Sequence, residues 1–179
     1  MQLHNNLIAA LVAIGAVTTP VSAAPGSLSD LLRRDVLAEA TGLARPDQSF
    51  IPNFAADVVR GTKAEGSADC IVSPASKARI PCTCPPDSDD PNFLAGLALA
   101  LNKGSFPVGS DVVAPINLAQ WNSQPADQAA QAALQQQRAT VMIQVLQSLS
   151  GQKGVGCPGA STPALVKQQN PSAVGPAGK

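Results

Sequence analysis

The sequence predicts a small, mainly α-helical domain that is stapled by two disulfide bonds. Three observations predict it. Two long segments carry apolar residues at helical spacing. Four cysteines, an even number, follow an export signal, and that context favours disulfide bonds. The C-terminal residues 158–179 are rich in Pro, Gly, Ser and Ala. We therefore expect the domain to cover residues 50–157, with a disordered N-terminal propeptide region before it and a disordered tail over residues 158–179.

Residues 1–23 are typical of a secretory signal peptide. An apolar run from Leu7 to Val17 is followed by Pro20 and by small residues that end at Ala23, as signal peptidase requires. The run is too short to span a hydrocarbon core of about 30 Å. We expect a secreted, extracellular chain without a membrane span that begins near Ala24.

A dibasic pair, Arg33 and Arg34, follows the export signal. Proteases of the secretory pathway cut propeptides after such pairs, so residues 24–49 are interpreted as a propeptide or linker with a cut after Arg34. The alternative is that the pair lies on the solvated face of a short helix over residues 28–41, which starts at Ser29 and ends before Gly42. The sequence leaves both interpretations open.

Pro52 in a first turn and Gly61 as a stop predict a second helix over residues 52–60. Its inward residues would be Phe54, Val58 and Val59. Residues 61–70 are small and polar and predict a loop. Residues 70–86 contain four prolines, which exclude a regular helix and keep the backbone extended. This segment is predicted to be a disulfide-closed loop.

The acidic run Asp87, Asp89 and Asp90 before Pro91 predicts the start of a third helix that ends before Gly104. Acidic caps, and Pro in the first turn, favour a helix N-terminus. Calcium loops need ligands at several fixed offsets, so capping is the simpler interpretation of these carboxylates. The buried stripe would be formed by Phe93, Leu94, Leu97, Ala98 and Leu101.

Residues 104–122 contain several Gly and Pro and predict a connection with a short extended piece at Val112 and Val113. Ser123 then opens the longest predicted helix, over residues 125–149, which Gly151 closes. Its apolar face would consist of Leu134, Val141, Met142, Val145, Leu146 and Leu149.

The cysteines are Cys70, Cys82, Cys84 and Cys157. A bond between Cys82 and Cys84 would close a strained ring, so each should pair with Cys70 or Cys157. The order is open; we favour Cys70 with Cys82, and Cys84 with Cys157. Structural zinc usually takes two Cys-x-x-Cys pairs, which this spacing does not provide. We expect no metal and no cofactor.

The composition argues against most enzyme classes. The single histidine, His4, lies in the signal peptide and there is no tyrosine. A Ser–His–Asp catalytic triad or a Cys–His catalytic pair is thereby excluded from the exported chain. No Asp stands in the Asp-Thr/Ser-Gly motif of aspartic proteases. Twelve basic residues balance twelve acidic ones without a basic cluster, which argues against nucleic-acid binding. We expect a non-enzymatic monomer.

One segment resembles a known group. Ala-Arg-Ile-Pro-Cys-Thr-Cys-Pro-Pro at residues 78–86, then a helix, then Gly-Val-Gly-Cys-Pro at residues 154–158, is similar to an uncharacterised family of small four-cysteine secreted proteins of filamentous fungi. The resemblance implies a fungal source and export. It implies no reaction and no catalytic residues, and it favours the cut after Arg34, because fungal secretory pathways contain a dibasic protease.

Three functions remain. The first is an extracellular protein that is effector-like or wall-associated, with an unknown extracellular protein or wall component as partner. The second is a protease inhibitor that presents the loop between Cys70 and Cys82. Its contact residues would be Lys77, Arg79 and Ile80. The third is a carrier that holds a lipid or another hydrophobic ligand between the helices.

Overall fold

The computed structural model describes residues 28–54, 56, 58–63, 69–72 and 78–171. The predicted signal peptide, its predicted cleavage site at Ala23 and the last eight residues lie outside this part of the chain. Within it, helices account for most of the regular structure and two disulfide bonds are formed, which agrees with the predicted mainly-α class. No helix among the described residues has both the length and the apolarity needed to cross a membrane.

The described elements are five α-helices, three short strands and two 3-10 turns. The helices are α1 (Leu28–Glu39), α2 (Pro91–Lys103), α3 (Leu118–Trp121), α4 (Gln128–Gln147) and α5 (Pro163–Gln169). The strands are β1 (Val59–Lys63), β2 (Asp69–Ile71) and β3 (Arg79–Pro81). The 3-10 turns are Gln48–Phe50 and Gly159–Ser161.

Helix α2 lies at the centre of the core, with the bounds that its flanking residues predict. The Asp90 carboxylate accepts the backbone N–H groups of Asn92 at 2.9 Å and Phe93 at 3.0 Å, which confirms capping as the role of this acidic residue. Gly104 ends the helix in the left-handed conformation, at φ +80°. The helix is buried on almost every side. Its buried residues are Phe93, Ala95, Gly96, Leu97, Ala98, Leu99, Ala100 and Leu101.

Helix α4 packs across α2 and is shorter than predicted at both ends. It begins at Gln128 because the Asp127 carboxylate accepts the Ala130 N–H at 2.7 Å, rather than near Ser123. A Cβ atom on Gly96 of α2 would lie 2.8 Å from Cγ1 of Val145, so only glycine allows the two helices this approach. All six residues of the predicted apolar face are buried, although Leu149 lies just after the end of α4.

The three strands form an antiparallel sheet in the order β1-β2-β3, which contradicts the predicted helix over residues 52–60. Val59 pairs with Ile71 instead. β-Branched residues favour strands, and the partner strand β2 lies further along the sequence, where local patterns do not indicate it. Phe54 does face inward, with its ring centroid 4.8 Å from that of Phe93. The sheet buries a small cluster of its own, separate from the main core.

The connection between α2 and α4 contains one helical turn that was not predicted. Asn117 and Gln120 form a reciprocal capping box that starts α3. The extended piece near Val113 is present, as an isolated bridge between Ser105 and Val113.

The prediction of a disordered tail from residue 158 is wrong for residues 158–171, and the prediction of a disordered N-terminal region is wrong for residues 28–49, which contain α1 and the buried Val36. Pro163 starts α5, and Leu165 is fully buried against the main core. The Gln169 amide donates to Oγ1 of Thr140 on α4 at 3.0 Å. Most residues of this segment are small, so its composition does not indicate that Leu165 packs into the main core.

Candidate binding groove

A groove of about 340 Å³ lies between α1, the turn that follows it, and α2. This volume is within the range of small-molecule sites. Most of its lining is apolar. The apolar lining residues are Leu37, Ala40, Leu43, Pro46, Pro91, Leu94, Ala95 and Ala98.

The groove also contains a few polar groups. Arg45 and Asp89 line it and are exposed, so a ligand would meet one positive and one negative side chain. The Thr41 hydroxyl donates to the Leu37 carbonyl at 3.1 Å and fixes the turn after α1. Apolar walls with a few charged groups suit an amphiphilic ligand better than a strongly charged one.

The wall that follows α1 is held to the core by hydrogen bonds between its backbone and the side chains of other segments. The Asn102 amide donates to the Ala44 carbonyl at 2.9 Å. The Trp121 indole N–H donates to the Asp47 carbonyl at 3.0 Å, and the Asp47 N–H donates to Oδ1 of Asn122 at 3.0 Å. This wall is therefore held by α2 and by the segment around α3 as well as by its bonds to α1.

A buried arginine contacts the same segments from α4. Arg138 of α4 is only 4% exposed. Its Nε donates to the Trp121 carbonyl at 3.0 Å, its Nη2 donates to the same carbonyl and to that of Ser123, and its guanidinium stacks on Phe50. Burial lowers the pKa of Arg138, and the Asp47 carboxylate acts in the opposite direction. The pKa of Asp47 itself is lowered, chiefly by its hydrogen bond from the Ser49 N–H.

Sequence reasoning did not identify Arg138. It is the only charged residue of α4 and stands four positions after Leu134, on the apolar face. An isolated charge on a buried stripe signals a group that must find partners, and that signal was available in the sequence.

The cysteine pairs are Cys70–Cys82 and Cys84–Cys157, the pairing that the sequence favoured. Cys157 reaches Cys84 because the chain passes close over the end of α4: the Cys157 N–H donates to the Leu146 carbonyl at 2.7 Å. A Cβ atom on Gly156 would lie 2.7 Å from the backbone N of Leu149. Only glycine fits at this crossing.

The remaining predicted site residues are spread over the molecule. Arg33 and Arg34 are exposed on α1. Arg79 is exposed on the edge strand β3, whereas Ile80 is only 1% exposed beneath the sheet. Lys77 lies outside the described residues. Arg79 and Ile80 therefore do not project together, and the inhibitor hypothesis gains no support from this geometry.

Comparison of the chain with known proteins found no matching family model, no matching curated protein and no matching solved structure.

Proposed function

We propose that this chain is a non-enzymatic extracellular protein of fungal type that acts by binding, at the fungal wall or at a host surface. The observation that carries the proposal is the state of the cysteines: all four are paired, and both members of the Cys84–Cys157 bond are buried. Disulfide bonds of this kind persist in oxidising, extracellular compartments.

The Cys84–Cys157 bond is part of the main core. Its cysteines pack in the same cluster as the helices and are 73 positions apart in the sequence. On the chain-entropy model a loop of this length stabilises the fold by about 4 kcal/mol, out of a typical total of about 5–15 kcal/mol. A reducing compartment would remove a large part of the stability, so the chain suits an oxidising one.

The intact mass of the protein collected from culture medium tests this proposal. The expected result is a chain that takes up alkylating reagent at four cysteines only after reduction. A matched control without residues 1–23 should remain in the cell with alkylatable thiols. Free thiols in exported protein, or no protein outside the cell, would contradict the proposal. Fractionation into medium and wall then separates the two locations.

A second candidate function is the carriage of an amphiphilic ligand such as a fatty acid. The groove between α1 and α2 favours it, because it combines apolar walls with Arg45, which could meet a carboxylate. Titration of delipidated protein with a fluorescent fatty acid tests this idea. Ala40→Phe should fill the groove and weaken binding at least tenfold, whereas Ala129→Phe, at an exposed position on α4, should leave it unchanged. Equal binding by both variants would exclude the groove as the ligand-binding site.

A further inference from the structure

A second pocket lies at the C-terminal end of α4, and we call it the α4 pocket. Its volume is about 370 Å³, which is within the range of small-molecule sites. Three segments line it: the last turn of α4 with the residue that follows, the chain between Lys153 and Pro158, and Val112 in the connection between α2 and α4. It shares no lining residue with the groove between α1 and α2, so it is a separate site.

The walls of the α4 pocket are joined to one another. The Gln144 amide of α4 donates to the Val113 carbonyl at 3.3 Å. The Lys153 ammonium donates to both carboxylate oxygens of Asp111 at 2.7 Å. Cys157, which lines the pocket, is only 4% exposed and packs in the main core. Because these contacts exist without a ligand, the pocket is preformed, and little ordering opposes binding.

The polar side chains of the α4 pocket have unused hydrogen-bonding capacity. Gln147 is exposed, and no described residue pairs with its side-chain amide. Gln144 uses its amide nitrogen, whereas its oxygen accepts from no described residue. Ser148 is only 2% exposed, and its Oγ accepts the Gly154 N–H at 3.4 Å without donating to any described residue. Polar groups at such positions need partners, and these supply both donors and acceptors.

The charges at the α4 pocket cancel. Of the described residues that line it, only Lys153 is charged, and Asp111 is its ion-pair partner. The hydrogen bond from Lys153 lowers the pKa of Asp111, so this carboxylate stays ionised and the pair is neutral as a whole. An acidic ligand would have to displace Asp111, whereas a purely apolar ligand would leave the amides without partners. The pocket therefore favours a ligand that is polar and uncharged.

A sugar ring has this chemistry. Its hydroxyl groups both donate and accept hydrogen bonds, as the amides of Gln144 and Gln147 do. Its C–H groups form an apolar face, and the α4 pocket offers Val112 and Pro158 as apolar surface. The match needs no charge on the ligand.

We propose that the α4 pocket binds a neutral sugar residue of an extracellular polysaccharide, which rests on the proposed binding role outside the cell and names its ligand class. Gln144, Gln147 and Ser148 pair with the sugar hydroxyls, and Val112 and Pro158 contact the ring face. The glucose of fungal glucan, the N-acetylglucosamine of chitin and the glucose of plant cellulose share this chemistry. The first two would place the protein at the fungal wall and the third at a plant host surface.

Calorimetric titration of the oxidised protein with short soluble oligosaccharides of β-1,3-glucan, chitin and cellulose tests the proposal. We expect saturable binding of at least one of the three, and the one that binds identifies the source. An oligogalacturonate of the same length is the acidic control and should bind more weakly. Absence of binding by all three neutral oligosaccharides, or tighter binding of the acidic one, would overturn the proposal.

A matched pair of glutamine variants tests whether the α4 pocket is the site. Gln147→Ala removes an exposed amide that lines the pocket, and binding should weaken about three- to tenfold. Gln137→Ala removes an exposed amide of the same helix that lies outside the pocket, and binding should be unchanged. Both variants should melt at the wild-type temperature. Equal affinities of the two variants would show that the sugar binds elsewhere and overturn the assignment.

The intact-mass experiment on exported protein keeps this test separate from that of the proposed function. Protein that leaves the cell with four paired cysteines but binds none of the neutral oligosaccharides overturns the sugar pocket alone. Free thiols in exported protein contradict the extracellular role itself, whatever the titrations show.

Discussion

The guanidinium carbon of Arg138 lies 3.6 Å from the centre of the Phe50 ring. Through this contact and its bonds to Trp121 and Ser123, one side chain joins α4, α3 and the segment before the sheet. Phe50 is far from Arg138 in the chain, whereas α3 directly precedes α4, so Arg138 holds the segment next to the groove from a distant part of the sequence.

Replacement of this arginine should destabilise the fold. Arg138→Ala removes charged hydrogen bonds and a cation–π contact, and we expect the free energy of unfolding to fall by about 3 kcal/mol. Arg138→Lys keeps the charge but lacks the planar guanidinium, so its free energy of unfolding should lie between those of the wild type and Arg138→Ala. Urea unfolding followed by circular dichroism measures the change. Arg79→Ala, at an exposed site, is the control; equal midpoints for both alanine variants would contradict the prediction.

Stability should fall in acid partly through Asp47. Because a hydrogen bond from Ser49 lowers the pKa of Asp47 in the fold, the unfolded chain binds this proton more tightly. The stabilisation is complete above the unfolded pKa of about 4 and is lost as the pH falls through the folded pKa. Asp47→Asn should therefore show a smaller drop in melting temperature between pH 6 and pH 3. An unchanged drop would be evidence against this role.

The two disulfide bonds should contribute unequally to stability. Loops of 12 and 73 residues correspond to about 3 and about 4 kcal/mol on the chain-entropy model, and only Cys84–Cys157 belongs to the main core. The double variant Cys84→Ala/Cys157→Ala should melt at a lower temperature than Cys70→Ala/Cys82→Ala. Calorimetry measures the two melting temperatures. A lower melting temperature for Cys70→Ala/Cys82→Ala would show that the sheet contributes more to stability than its packing indicates.

Helix α5 should contribute to stability through one residue. Leu165 is fully buried, whereas its neighbour Val166 is 37% exposed. Leu165→Ala should lower the free energy of unfolding by about 2–4 kcal/mol, and Val166→Ala by less than about 1 kcal/mol. Chemical unfolding of the two variants compares them directly. Equal small losses would mean that α5 is not docked in solution.

Elements with local signals were predictable from the sequence. Asp90 and Gly104 mark both ends of α2 within the chain itself, and the four cysteines restrict their own pairing. The strands lack such signals, because they are short and their partners lie elsewhere in the sequence. Helix α5 depends on one leucine among small residues, which composition cannot reveal.

The candidate site was harder to predict than the fold. Its walls come from α1, α2 and the turn between α1 and the sheet, so the groove exists only after these segments pack. Arg138 gave a signal in its isolated charge, but its partners are backbone carbonyls and an aromatic ring that no motif identifies. By contrast, the sequence already offered a short helix with the dibasic pair on its solvated face, and the structure shows Arg33 and Arg34 exposed on α1.

The disulfide pairs divide the chain into parts with different fates in a protease-rich medium. A cut between Cys84 and Cys157, or between Cys70 and Cys82, leaves both pieces covalently attached. A cut before Cys70 or after Cys157 releases a fragment, and α1 and α5 both lie on these unprotected sides. Extracellular proteolysis should therefore trim the two ends while α2, α3 and α4 remain one molecule.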